Sequence, residues 1–390
     1  MKILIIGSGM YVTGRNQTGK GTILSSIAQF SKKNKITEVI IAARSSKNKI
    51  IVKQETERIN KEINSNLKTS YISIQGTPDE FLSKLCKNNK FDCAIVCVPD
   101  NLHFDYTYAL ISNEIHCLVV KPLVETVKKN IQLIQLQKQT NTYGAVEFHK
   151  RFDKTNLFIQ KSLAEKSIGK ILYFTIDYSQ RIDIPLKIFS PWASETNIFQ
   201  YLGVHYVDMV FFLTGYLPLK AMAYGTMGVL YEKGINTFDS IHASVIWKNP
   251  NDKDDTFISL FNTNWIDPGC TSAMSDQKFK IIGTYGRIEC DQKNRGVEIV
   301  SDNLGIQQVN PYFSEFLPDI DGNLEFSGYA YETISQFFKD VLDLKKNKSL
   351  LTYFDQNRPT FSQALVSTSV IEAVNNSLAD NNWREINAAF

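Results

Sequence analysis

Near its start the chain runs Lys2-Ile3-Leu4-Ile5-Ile6 and then Gly7-Ser8-Gly9. A short, continuously apolar stretch suits a strand covered on both faces, and glycines at its end let backbone N–H groups approach a pyrophosphate that a following helix N-terminus attracts. This junction constrains the fold more than any other stretch, because it opens a βαβ nucleotide-binding unit. The third glycine of a G-x-G-x-x-G pattern would fall at Val12. The loop instead continues through Gly14, Gly19 and Gly21, and helical apolar spacing begins only at Ile23, Leu24, Ile27 and Phe30. The expectation is an expanded dinucleotide loop contacting cofactor through Gly7, Gly9 and Met10; a glycine-rich turn without a ligand is the plain alternative. Residues 14–20 also approach a P-loop, G-x-x-x-x-G-K, but Gly21 stands where that motif needs a Ser or Thr hydroxyl for magnesium, which argues against a kinase.

Strands and helices then alternate at βαβ spacing. A second strand is expected over 38–43, a polar helix over 54–63, a strand over 70–74, and a helix opened by Pro78. Residues 93–98 are continuously apolar and read as a fourth strand, 115–120 as a fifth and 143–148 as a sixth. The second strand ends in Arg44-Ser45-Ser46-Lys47. An acidic residue there would bond a ribose 2′-hydroxyl, whereas Arg44 and Ser45 suit a 2′-phosphate. A solvated basic turn is the competing reading.

After residue 150 the texture changes. A helix to about residue 166 and a strand over 171–178 precede a long irregular stretch, 179–196, that holds Arg181 and Trp192. Residues 199–214 form an apolar helix carrying Tyr201, His205 and Asp208. The remaining strands (221–226, 241–247, 257–263, 279–282, 286–290 and 296–300) follow one another with turn signals such as Asn249-Pro250-Asn251, which implies an antiparallel sheet. Helices over 329–344 and 361–378 close the chain. The fold class is therefore α/β plus α+β: a doubly wound parallel Rossmann domain over 1–147, and a domain over 148–390 on a large, mostly antiparallel open sheet.

Length and composition agree. With 390 residues of which 43% are hydrophobic, the chain can bury two cores. Its net charge of +3 and lysine clusters at helix ends argue against nucleic acid. None of the six cysteines forms a C-x-x-C pair, so neither a metal site nor a disulfide framework is expected. No stretch reaches the roughly 18 apolar residues of a membrane span, and the apolar run before Gly7 is too short for a signal peptide. A soluble, cytoplasmic protein is the expectation.

Six segments together resemble a known family, the NAD(P)-dependent oxidoreductases grouped around glucose-fructose oxidoreductase and inositol 2-dehydrogenase. They are Gly7-Ser8-Gly9; Pro99-Asp100-Asn101-Leu102-His103; Lys121-Pro122; Phe148-His149-Lys150-Arg151-Phe152-Asp153; Gly203-Val204-His205-Tyr206-Val207-Asp208; and Gly283-Thr284-Tyr285-Gly286-Arg287-Ile288. Their order and spacing carry the resemblance across nearly the whole chain. It implies NADP or NAD as cofactor, contacted also by Val98, Pro99, Asn101, His103 and Lys121. It further implies a sugar, polyol or sugar-derivative substrate held by Lys121, His149, Arg151, Tyr201 and His205, and a homodimer or homotetramer built through the second sheet. In similar enzymes the lysine of a Glu-Lys-Pro motif touches substrate, and a histidine four residues after an aspartate moves the hydroxyl proton. Lys121 and His205 match these. Val120 stands at the glutamate position and Tyr201 at the aspartate position, so His205 lacks that orienting carboxylate.

The residue chemistry agrees independently. Oxidising an alcohol needs a hydride acceptor and a base near neutral pKa, which histidine supplies, and a desolvated lysine stabilises a developing alkoxide. Arg181 and Trp192, in the long irregular stretch, are further candidates to line the substrate pocket; a surface loop is their plain reading, a core histidine on an apolar helix that of His205, and a structural carboxylate that of Asp208. Tyr201, one helical turn from His205, is a second candidate acid or base. A non-catalytic dinucleotide- or sugar-binding regulator on the same fold is the rival function.

Overall fold

The computed structural model describes residues 1–14, 21–303, 305–388 and 390. The lysine and second glycine of the P-loop-like stretch, Lys20 and Gly19, lie outside the described residues.

Six parallel strands build the first sheet: β1 (Lys2–Ile6), β2 (Glu38–Ala43), β3 (Thr69–Ser73), β4 (Cys93–Val96), β5 (His116–Val120) and β6 (Gly144–Glu147), in the order β3-β2-β1-β4-β5-β6. Ile3, Leu4, Ile5 and Ile6 are fully buried, as are Ala94, Ile95 and Val96, because helices cover both faces. The strand order reverses between β1 and β4, the switch point at which ligands bind in doubly wound sheets. The helix expected over 54–63 starts earlier and spans Asn48–Ile63. In its first turn Lys49 and Ile50 are exposed, Ile50 at 66%, so the apolar side chains there follow no helical period. The helix Pro78–Asn88 begins at a capping box of Thr77 and Glu80.

The compact units divide differently from 1–147 and 148–390. One comprises Met1–Val124, Lys128–Asp153 and Tyr312–Ala364; the other comprises Glu125–Val127, Lys154–Pro311 and Leu365–Phe390. The chain returns to its first unit because the parallel sheet and its helices still need apolar cover, which the helix Tyr329–Lys346 supplies. Phe337, Phe338, Val341 and Leu344 on that helix are buried, and the Phe338 ring lies 5.2 Å from that of Phe30. The Tyr143 hydroxyl donates to Asp340 at 3.0 Å, and Arg358 pairs with the same carboxylate at 2.9 Å.

The second unit is built on a seven-stranded sheet. Its main strands are β7 (Ile171–Arg181), β8 (Leu217–Thr226), β9 (Ser240–Asn249), β10 (Asp252–Asp267), β11 (Ser275–Gly283) and β12 (Arg287–Asp291), ordered β12-β11-β7-β10-β9-β8 with the short strand Arg384–Glu385 at the edge. Only β7 and β10 run parallel; the other pairings are antiparallel, as expected. Burial alternates along β9 and β10, the mark of a sheet with one covered face. The helix Val204–Thr214 packs on the covered face, its Tyr206, Val207 and Val210 sharing a core with Val245 and Phe261. Tyr173, Tyr224 and Ile266 stay exposed.

Candidate active site

The glycine junction in the first unit has the geometry that nucleotide binding requires. Gly7 has φ +109°, and a Cβ there would lie 1.9 Å from the Cys97 carbonyl oxygen, so no other residue fits between the ends of β1 and β4. An added Cβ on Gly9 would meet nothing within 4 Å, leaving the backbone approachable. Beside them the Asn48 amide donates to the Ser8 hydroxyl at 2.7 Å. Arg44 and Ser45 are exposed at the end of β2, and the Tyr71 hydroxyl donates to the Ser45 carbonyl. An approachable glycine backbone at the switch point and an exposed guanidinium at the end of β2 together fit a dinucleotide.

Across the switch point, at the ends of β4, β5 and β6, lies a buried set of titratable groups. Lys121 follows β5 and is 7% exposed. Burial is the main cause that pushes its ammonium down to about 8, against the opposing pull of Asp100 and Glu147. The Lys121-Pro122 peptide is cis. The Pro122 carbonyl lies 2.6 Å from His103 Nδ1 and the Val98 carbonyl 2.9 Å from His103 Nε2, so this ring ties together the loops after β4 and β5. Both ring nitrogens are engaged by backbone, which makes His103 a loop fastener. Asn101 is exposed, and Val98 and Pro99 are half-buried. Cys97 is pushed up to about 12 by burial and by Glu147.

Glu147 and Tyr11 are the residues that sequence reasoning missed. Glu147 ends β6 at 1% exposure and is the register partner of Val120. It accepts from the Tyr11 hydroxyl at 3.0 Å, and His149 Nδ1 lies 3.0 and 3.1 Å from its two oxygens. Burial, then the Glu147 charge, raises the Tyr11 phenol well above its ordinary range. The signal available was a lone carboxylate in an otherwise apolar segment. His149 is further packed by Phe313 at 5.2 Å and Tyr329 at 5.6 Å. Arg151, also buried, lies over Phe148 at 5.6 Å and donates to the Gln363 side chain.

In the second unit, the residues Phe199–Gly203 form a π-helical turn that leads into the helix Val204–Thr214, the Val204 amide bonding to the Phe199 carbonyl five residues back. Such turns recur at functional sites. Tyr201 is held among rings: Phe189 at 4.9 Å, Trp265 at 5.8 Å and Trp192 at 5.9 Å. His205 is 4% exposed, with the Tyr178 ring 6.4 Å away. Asp208, 2% exposed, sits on the same helix. Trp192 thus belongs to the aromatic cluster around Tyr201. Arg181 instead bonds to Thr271, its Nε 3.1 Å from the hydroxyl oxygen, and ties the end of β7 to a neighbouring loop. A polar cleft of about 580 Å³ opens in this unit beside Asn197, Gln200, Asn236 and Asn375. Arg181, Trp192, Tyr201 and His205 are absent from its lining; Gln200, on the same π turn as Tyr201, contributes to it.

No helix among the described residues is long and apolar enough to cross a membrane, and among them no group of His, Cys, Asp and Glu side chains could hold a metal ion.

Residues 1–148 match the model of an oxidoreductase family with an NAD-binding Rossmann fold. Two characterised relatives are scyllo-inositol 2-dehydrogenase (NADP(+)) of Bacillus subtilis, 24% identical over 42% of this chain, and inositol 2-dehydrogenase of Rhizobium meliloti, 25% identical over 54%. The matches span about half the length of these relatives, 45% and 60%. Among solved structures, scyllo-inositol dehydrogenase from Lactobacillus casei with bound NAD(H) and scyllo-inositol superposes with a TM-score of 0.64 at 16% identity, covering 99% of both chains. The myo-inositol 2-dehydrogenase from Lactobacillus plantarum gives 0.66 at 15%, again over 99% of both chains. At such identities these structures establish the shared fold. The similarity to an oxidoreductase family with an NAD-binding Rossmann fold is thus carried by residues 1–148.

Proposed function

We propose that the protein is an NAD(P)-dependent oxidoreductase that moves a hydride between a nicotinamide cofactor and a hydroxyl-bearing carbon of a polyol, sugar or sugar derivative. The observation that carries this reading is Lys121: a lysine buried to 7% exposure at the carboxyl end of a Rossmann strand, its ammonium pushed down to about 8 by burial. A buried ammonium is costly, and chains keep one where the charge is used. Gly7, Gly9 and Met10 would hold the pyrophosphate, and Arg44 with Ser45 the 2′-phosphate, which favours NADP(H).

A bound nicotinamide accepts the hydride. Lys121 stabilises the negative charge that grows on the substrate oxygen, and His205, whose ordinary pKa lies near working pH, takes the hydroxyl proton. The alcohol C–H bond and its O–H bond both break, and a carbonyl forms. Tyr201 lines the aromatic cluster instead of moving the proton. The exposed face of the seven-stranded sheet, with Tyr173, Tyr224 and Ile266, is where a second copy would dock to form a homodimer or homotetramer. The cytoplasm, which keeps thiols such as these six free cysteines reduced, is the place of action.

The test incubates the protein with NADP⁺ or NAD⁺ and a panel of inositols, sugars and nucleotide sugars, read at the reduced-nicotinamide absorbance. Turnover of a cyclic polyol or sugar is the expected result. Tight cofactor binding with no turnover across the panel would instead mark a non-catalytic binder.

A further inference from the structure

Two opposite charges are buried at adjacent strand ends of the first unit: Lys121, 7% exposed, just after β5, and Glu147, 1% exposed, at the end of β6. Val120 and Glu147 are register partners in a parallel pair, so their side chains leave the sheet on the same side. Glu147 therefore places a carboxylate where one at position 120 would project. Its position is secured by the Tyr11 hydroxyl and by His149 Nδ1, and His149 is itself clamped by the Phe313 and Tyr329 rings. Burying a carboxylate is costly unless it is bonded and its charge compensated. Folding alone gives no reason to keep Glu147 at the end of a strand whose other residues are apolar or glycine.

We propose that Glu147 is a positioning residue for Lys121, supplying from the neighbouring strand the negative charge that Val120 cannot, so that Lys121 stays a cation in a buried setting. This rests on the reading of Lys121 as a group that serves catalysis. The groups acting on Lys121 are Asp100 from the loop after β4, Cys97 at the end of β4, and Glu147. Asp100 and Glu147 favour the charged form and burial opposes it, so removing either carboxylate lowers the pH at which Lys121 loses its proton. Tyr11 and His149 act one step further out, through Glu147.

The experiment titrates Lys121 directly by NMR in protein carrying ε-¹³C-labelled lysine, the signal assigned by its loss in Lys121→Met. Wild-type Lys121 is expected to titrate near 8. In Glu147→Gln, which keeps the acceptor for Tyr11 and His149, the midpoint falls by about one pH unit. Val120→Glu combined with Glu147→Gln restores it, and Glu147→Asp, which keeps the charge, stays near wild type. The basic limb of the kcat/KM profile moves with the same midpoints. An unchanged midpoint in Glu147→Gln overturns the proposal, as does a Glu147→Asp shift as large as that of Glu147→Gln, which would make the effect one of packing. Because the titration needs no substrate, it gives its answer even if the wild-type protein turns nothing over, an outcome that would count against the proposed function alone.

Discussion

The first unit sets its chemistry with charges, and the second sets its own with rings. Lys121 lies beside Asp100, Cys97 and Glu147, groups delivered by the ends of different strands of one parallel sheet. His205 and Tyr201 lie on one continuous helical segment, on a face dominated by Tyr178, Phe189, Trp192 and Trp265. The end of β5 is fixed by ladders on both sides, with β4 and with β6, so a charge placed there can be matched by a counter-charge on the next strand. A helix in an apolar shell offers shape and exclusion of water. The comparison teaches that strand ends can answer one buried charge with another, whereas the helix is enclosed by rings.

The largest expected effect breaks the second half of that comparison. His205→Asn should lower turnover by roughly 10² to 10⁴-fold, the range for loss of a general base, with cofactor affinity unchanged. Tyr201→Phe should keep activity within a few-fold and leave the pH profile of turnover unchanged. Activity surviving in the histidine variant and vanishing in the tyrosine variant would move the proton-transfer role to Tyr201.

Next comes the junction of β1 and β4. Gly7→Ala forces a side chain onto a backbone carbonyl at φ +109°, and neither atom can yield. A loss of more than about 3 kcal/mol in chemical denaturation, together with loss of cofactor binding, is expected. A variant as stable as wild type would mean that the two strand ends separate readily.

The charge at Lys121 also carries a cost in stability. In the folded protein it is pushed down to about 8 from the ordinary 10.5, so between those values the unfolded chain binds more protons than the folded one and stability rises with pH. Below about 8 the whole cost of the buried cation is present, and above 10.5 it is gone. Lys121→Met should therefore be more stable than wild type at pH 7, by on the order of 3 kcal/mol, with the advantage shrinking through that window. Denaturation midpoints at pH 7 and pH 10.5 check it, and equal differences at both would show that packing alone is responsible.

Much of the first half was legible because the signals are local. The apolar run before Gly7 and the one before Lys121 each mark a buried parallel strand and its end, and the glycine that fits against Cys97 is visible as the first residue after its strand. Glu147 escaped because its meaning depends on register: it is one residue in a short strand until Val120 is laid beside it. The helix Tyr329–Lys346 was expected as a helix, yet its docking on Phe30 joins segments about three hundred residues apart, which no period in the sequence encodes. The setting of Tyr201 was hidden for the same reason, since Trp265 comes from β10 and Phe189 from the irregular stretch. Trp192 lies in the expected irregular stretch whereas Arg181 ends β7, and their partners, the Tyr201 ring and Thr271, lie elsewhere in the chain.

A smaller effect concerns the exposed rim of the first unit. Arg44→Ala should weaken NADP(H) binding by roughly tenfold or more, the loss of a charge-assisted bond of about 1.5 to 3 kcal/mol, and leave NAD(H) affinity unchanged. Titration of both cofactors measures it, and an equal loss for both would remove Arg44 from phosphate recognition.

Lys121 is expected to serve hydride transfer. Its most direct test is a single-turnover measurement at saturating cofactor with the best polyol or sugar of the panel, comparing wild type with Lys121→Ala. The account predicts that the variant binds NADP⁺ as wild type does and reduces it roughly 10²-fold or more slowly. Reduction at the wild-type rate in that variant would contradict it and place the chemistry elsewhere in the molecule.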